Sequence, residues 1–289
     1  MALFAPKHIL CPVDLSSVSP LVLRWANLFA ETYGAKLQIL YAAAFEYPPY
    51  FLPSQQRQLS DEAENERAAL RNVLAKLVYE TLGRTIAPEI LVVEAHPIEA
   101  ILGYAQSNRP DLIVMGSHGR SSIARMRLGS VAESVMREAR TPVLVVRALE
   151  DRTAPRVISR VLCPASFTEH AQRCVDFSAQ IASAFGAQLF VIHSAEPEGA
   201  DLQAIRMQLC QWIPTDARRS CEVVELVRQG NAAEQILLAA REHSADLIVL
   251  AAQHRPFLEF TTLGTTTERV MRHADSAVLV LPSEKGSRP

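Results

Sequence analysis

The chain repeats itself, and the repeat limits what it can fold into. Arg160-Val-Leu-Cys-Pro164 restates His8-Ile-Leu-Cys-Pro12, with Cys163 lying 152 positions after Cys11. Ala187 to His193 restates Ala35 to Tyr41 at the same offset. Further on the offset changes to 135. Asp246-Leu-Ile-Val-Leu250 restates Asp111-Leu-Ile-Val-Met115, Glu268 to Arg272 restates Glu133 to Arg137, and Val278 to Val280 restates Val143 to Val145. The drop from 152 to 135 places an excess of 17 residues in the first half, between its second and third strands. A repeat of this period means two copies of one supersecondary unit. The boundaries read as residues 1–149 and 156–289, joined by the polar stretch Leu149 to Pro155.

Within the first copy, apolar runs alternate with amphipathic segments. His8-Ile-Leu-Cys-Pro-Val13 is a strand, and Leu21 to Ala30 repeats apolar residues at helical spacing and closes at Tyr33-Gly34. Ala35 to Tyr41 is a second strand. A polar helix from about Gln56 to Leu82 ends at Gly83. Glu89 to Val93, Asp111 to Met115 and Pro142 to Arg147 supply three more strands, with helices over Pro97–Ser107 and Ser130–Ala139 between them. Pro97 suits a first helical turn, and Ser130 is placed to cap the last helix. The order βαβαβαβαβ predicts an α/β fold with right-handed crossovers. Its crevice lies beyond the carboxyl ends of the strands, which gathers the residues after His8–Val13, Ala35–Tyr41 and Asp111–Met115.

The richest stretch for chemistry is Asp111-Leu-Ile-Val-Met-Gly-Ser-His-Gly-Arg120, continuing to Leu128-Gly129-Ser130. A buried strand stops at a glycine, a loop follows, and a helix begins. That order presents N–H groups and a positive helix end to an anion. Two residues separate Gly116 from Gly119, nine separate Gly119 from Gly129, and a serine follows. The plain alternative is a set of loop glycines serving positive φ.

The spacing G-x2-G-x9-G-[S/T] resembles the nucleotide motif of the ATP-binding universal stress proteins, and with both copies considered the chain resembles a tandem member of that family. The resemblance implies two doubly wound, Rossmann-like domains, each a five-stranded parallel sheet in the order 3-2-1-4-5, of the adenine-nucleotide alpha-hydrolase-like type. It implies ATP as ligand. Pro12, Val13 and Asp14 would hold the adenosine, and Ala42 would contact adenine through its backbone. Met115, Gly116, Ser117, Gly119, Arg120, Gly129, Ser130 and Val131 would complete the ribose and phosphate site. Asp14 could accept a hydrogen bond from adenine or ribose, face a metal such as Mg2+, or simply cap the helix that follows. Arg125 and Arg127 flank the same loop; a bidentate guanidinium suits phosphate, but arginines on a loop are more often solvated, and only Arg120 is assigned to the site. Single-domain members commonly dimerise through the last strand, so Pro142–Val146 and Ala277–Leu281 are expected to join the two copies as an internal pseudo-dimer. A homodimer and an unidentified protein partner are further expectations.

The second copy departs from the motif. Gly116 corresponds to Ala251, Ser117 to Ala252, Gly119 to His254 and Asp14 to Ser166, while Gly264-Thr265 retains the final pair. This copy is expected to bind no ATP, or to bind something else. No nucleophile–base pair is visible from spacing, and Cys11-Pro-Val-Asp-Leu-Ser16 lacks the Ser-Gly-Gly-x-Asp-Ser loop of the ATP-pyrophosphatases. Little or no turnover is expected.

Composition removes several other classes. With 49% hydrophobic and 21% charged residues the chain reads as ordinary globular protein. A formal net charge of −2 offers no basic surface for nucleic acid or anionic membrane. No apolar run approaches the length of a membrane span, and the N-terminus lacks the layout of a signal peptide, so a cytoplasmic location is expected. Five cysteines without a CxxC pair make neither a disulfide framework nor a zinc site. Tyr47-Pro-Pro-Tyr-Phe-Leu-Pro53, within the first-copy excess, reads either as a lid or partner contact, or as packing against its own long helix.

Overall fold

The computed structural model describes residues 4–43, 53–83, 87–118, 128–147, 157–196, 199–252 and 264–282, with backbone alone for 53–63. The first half runs β1 (His8–Pro12), α1 (Ser19–Tyr33), β2 (Lys36–Ala43), α2 (Pro53–Leu82), β3 (Glu89–Glu94), α3 (Pro97–Asn108), β4 (Leu112–Gly116), α4 (Ser130–Glu138) and β5 (Val143–Val146). The second runs β6 (Arg160–Pro164), α5 (Glu169–Phe185), β7 (Gln188–Ala195), α6 (Leu202–Trp212), α7 (Thr215–Ser220), β8 (Val223–Gln229), α8 (Ala232–Glu242), β9 (Leu247–Ala251), α9 (Thr265–His273) and β10 (Ala277–Leu281).

Each half has the strand order 3-2-1-4-5, but the halves are not two separate sheets. The described strands form one ten-stranded sheet in the order β3-β2-β1-β4-β5-β10-β9-β6-β7-β8. All pairings are parallel except β5 with β10, which is antiparallel. The strand direction therefore reverses at that seam. The carboxyl ends of the first half's strands lie along one rim of the sheet, and those of the second half lie along the opposite rim.

The strands are apolar on both faces because helices cover both. Side-chain alternation sends Ile9, Cys11, Leu112, Val114 and Leu144 to one face, beneath α1 and α5. Leu10, Ile113, Met115, Val143 and Val145 go to the other, beneath α4 and α9. Both layers contain residues from each half, so the core is continuous across the seam. On one side Phe29 of α1 meets Phe185 of α5 edge-on, with ring centroids 5.2 Å apart.

Local signals repeat with the sequence. Gly34 and Gly186 end α1 and α5 in left-handed conformation, with φ of 63° and 65°, where a Cβ would be disfavoured. Asp111 Oδ2 accepts hydrogen bonds from the N–H groups of Lys7 and His8 at 2.8 and 3.0 Å. Asp246 does the same for Ser159 and Arg160 at the same distances. Each aspartate ties the start of its half's first strand to the segment leading into the fourth, at the rim away from that half's crevice.

Two capping expectations are corrected. Ser130 is the first residue of α4, and Gly129 occupies the N-cap with no side-chain cap. Asp14 is not the cap of α1 either; Val18 holds that place. The Asp14 carboxylate instead accepts from the Ser16 N–H at 3.0 Å and the Ser19 hydroxyl at 3.1 Å, fixing the turn that leads into the helix. The loop from Tyr47 to Leu52 and the linker from Leu149 to Pro155 lie outside the described residues. No described helix is long and apolar enough to cross a membrane.

Candidate functional site

At the carboxyl rim of the first half, β1, β2 and β4 end beside the start of α4 and enclose a cavity of about 330 Å³. Its wall takes Pro12, Val13 and Asp14 from the end of β1, and Ala42 from β2. Met115, Gly116 and Ser117 come from the end of β4, and Gly129, Ser130 and Val131 from the start of α4. Thus the fold brings together ten of the twelve residues singled out in the sequence. The other two, Gly119 and Arg120, lie outside the described residues, as do Arg125 and Arg127.

Sequence reasoning missed several wall residues. Ser16, Val18, Ser19 and Val22 enter from the turn and first turns of α1, Leu40 and Tyr41 from β2, and Pro97 and Ile101 from α3. Pro97 could have been found, because it follows the third strand at the rim where α/β crevices open. The α1 residues could not. The turn that leads into them holds Leu15 at φ of 59°, a left-handed conformation that no glycine or asparagine signals.

The two glycines are needed for space rather than for positive φ. A Cβ at Gly129 would lie 3.1 Å from the Ser117 carbonyl oxygen, and one at Gly116 would lie 3.3 Å from that of His118. Gly129 has φ of −69°, open to any residue. Its closeness follows from a backbone hydrogen bond: Gly129 N–H donates to Ser117 O at 2.8 Å, clasping β4 to α4. Ser117 N–H donates to Val146 O, also at 2.8 Å. Both of these N–H groups are spent within the protein. Among the described residues, the N–H groups of Ser130, Val131 and Ala132 have no intrahelical carbonyl to reach and no side-chain cap. All three residues line the cavity, and the helix dipole adds positive potential there.

Beside this clasp the Ser117 hydroxyl and His118 Nδ1 are 2.7 Å apart. The His118 Nε2 is shielded from solvent with no hydrogen-bond partner. Burial, followed by the charge of Arg147, lowers the His118 pKa from the ordinary histidine value. Burial therefore favours the neutral imidazole. Cys11, under the same crevice, is fully buried, and burial raises its thiol pKa far above the ordinary range, so it supplies no nucleophile. Among the described residues no group of three or more His, Cys, Asp or Glu side chains could hold a metal.

The universal stress protein family model matches residues 6–147 and 214–282. The chain belongs to the universal stress protein family. A universal stress protein of Methanocaldococcus jannaschii is 35% identical over 145 residues, which cover 49% of this chain and 82% of that protein. One from Mycolicibacterium smegmatis aligns along nearly all of both chains, 94% and 96%, at 26% identity. The crystal structure of a universal stress protein from Archaeoglobus fulgidus superposes with a TM-score of 0.69 over 96% of this chain and 98% of the other, at 22% identity. That likeness gives the tandem fold of this universal stress protein a solved counterpart.

Proposed function

We propose that this universal stress protein binds ATP in its first-half cavity and acts as a nucleotide-dependent regulator of the stress response. The observation that carries the reading is the clasp between Ser117 and Gly129. It holds Gly116 and Gly129 close against the carbonyls of His118 and Ser117, and it sets the uncapped first turn of α4 against the cavity. Anion binding by such helix starts has a known electrostatic basis. Val13, Leu40 and Ile101 supply apolar surface for the base, and the Asp14 carboxylate is at hand for a ribose hydroxyl. When Mg2+ accompanies the nucleotide, Asp14 is the one carboxylate among the described wall residues that could meet it, which fits an ion held mainly by phosphates and water. The reading includes no catalytic base. Turnover is expected far below the enzyme median of about 10 s⁻¹, so the nucleotide serves as a signal rather than a substrate.

Gentle purification followed by chromatography of the released nucleotide tests this directly. Co-purifying intact ATP, and its rebinding in calorimetry, are the expected results. A protein that emerges empty and binds no added ATP would overturn the proposal, and rapid phosphate release would move the chain into the enzyme class.

A further inference from the structure

The reversal of strand direction at the seam brings opposite helix ends to one rim. α4 begins where β4 and β5 end, beside the first cavity. β10 begins at that same rim, so α9, which leads into it, ends there. Both helices cover the same face of the sheet. The positive start of α4 and the negative end of α9 therefore share the first half's rim, and the second opposes an anion that the first attracts.

Arg147 bridges the two halves at this rim. Gly116 pairs with Val146, and the Ser117 N–H donates to the Val146 carbonyl at 2.8 Å, so the next residue leaves β5 beside the cavity wall. Alternation along β5 turns its side chain to the face that α4 and α9 cover. There its Nη1 donates to the carbonyl oxygen of Arg272, in the last turn of α9, at 2.6 Å. A guanidinium stays protonated in proteins, and a cation at this position offsets the helix's negative end. Its charge also reaches the crevice: burial first, and this charge second, lower the pKa of His118, which lines the cavity.

Two ion pairs lie at the same end of α9. Arg272 Nη2 is 2.7 Å from Glu268 Oε1, and Arg241 Nε is 2.9 Å from Asp275 Oδ2. The Asp275 charge also favours the protonated Arg147, against the desolvation that lowers its pKa. The opposite rim lacks the residue for such a cap. At the offset of 135, Pro282 occupies the place of Arg147, and Asp275 occupies that of Arg140. A proline side chain has no donor for the carbonyls that end α4, so the arrangement belongs to the first crevice alone.

We propose that Arg147 is a specificity-determining residue of the first cavity: held by the second half, it masks the negative end of α9 and keeps the rim receptive to a ligand's phosphates. This rests on reading that cavity as the nucleotide site. It gives the second half a part in the first half's binding that requires no ligand of its own.

The test uses calorimetry on the full chain with ATP, inorganic tripolyphosphate and adenosine as probes, in the wild type, Arg147→Met and Arg147→Lys. Arg147→Met keeps an aliphatic stem without the charge. It should weaken ATP and tripolyphosphate by about 10-fold and leave adenosine unchanged. Arg147→Lys keeps the charge and should recover most of the loss. If Arg147→Met fails to fold, Arg147→Gln replaces it. Proton NMR of the histidines gives a readout without ligand: the His118 pKa should rise in Arg147→Met and return towards the wild-type value in Arg147→Lys. Unchanged ATP binding in Arg147→Met, an equal loss for ATP and adenosine, or an unmoved His118 pKa would each overturn the inference. Unchanged ATP binding leaves the first-cavity reading standing. Tripolyphosphate binding that depends on Arg147, in a protein that takes no ATP, would sink only that reading. A wild type that takes neither anion would sink both.

Discussion

Leu144 lies opposite Leu279 across the antiparallel seam, and Leu279 occupies the place of Leu144 in the second copy, 135 positions later. Val143 and Val145 pair with Val280 and Val278, so the register is symmetric about the two leucines. The local twofold axis passes between them. A contact of this kind is isologous in form, although it joins two parts of one chain.

Because the seam is self-complementary, a first half expressed alone as residues 1–149 should dimerise through β5. Light scattering across a concentration series reads this, and a half that stays monomeric at high concentration contradicts it. In the full chain, Leu144→Ala removes a fully buried side chain and should cost about 2–5 kcal/mol, measured by urea denaturation.

Gly129→Ala places a methyl 3.1 Å from the Ser117 carbonyl oxygen. Opening the clasp should cost at least one hydrogen bond to a charged phosphate, about 1.5–3 kcal/mol, or roughly 10- to 150-fold in ATP affinity. Calorimetry showing wild-type affinity in this variant would rule out the clasp as a phosphate cradle.

Histidine 118 should make the protein sensitive to acid. Its folded pKa is lowered by burial and by Arg147, so as pH falls the unfolded chain takes up the proton first. The stability involved is complete above the ordinary histidine pKa of about 6.5 and is lost as pH falls through the lower folded value. His118→Asn should lose less stability than the wild type between about pH 7 and pH 5. Parallel urea midpoints in the two proteins would disprove this.

Thiol chemistry should follow burial. Cys11, Cys163 and Cys174 are buried, Cys221 is partly covered with its pKa raised to about 11, and Cys210 is exposed. Brief treatment of the native protein with iodoacetamide should label Cys210 and spare the three buried thiols. Peptide mass spectrometry checks this, and early labelling of Cys11 would contradict the buried crevice floor.

The repeat made the fold readable because both copies answer to the same local physics. Asp111 and Asp246 begin matching apolar runs, and the structure gives them matching hydrogen bonds. The cavity residues were legible for a related reason: strands ending at Pro12, Ala43 and Gly116 must share one rim. Exact caps were not legible. Asp14 and Ser130 are residue types that favour N-caps, but tertiary contacts moved Asp14 to the turn and Gly129 to the cap. The single sheet was expected as a pairing of last strands, yet its symmetric register depends on side chains meeting across a long sequence separation, which no local pattern encodes.

The covalent seam also has a consequence for abundance. Two separate chains joined through β5 would dissociate when dilute, and their assembly would follow the amount of protein made. Here the short connection from β5 to β6 keeps the partner strand at a fixed local concentration. The pairing of Leu144 with Leu279 is therefore independent of copy number. A cell that raises or lowers the level of this protein changes how many two-crevice units it has, and leaves the architecture of each unit unchanged.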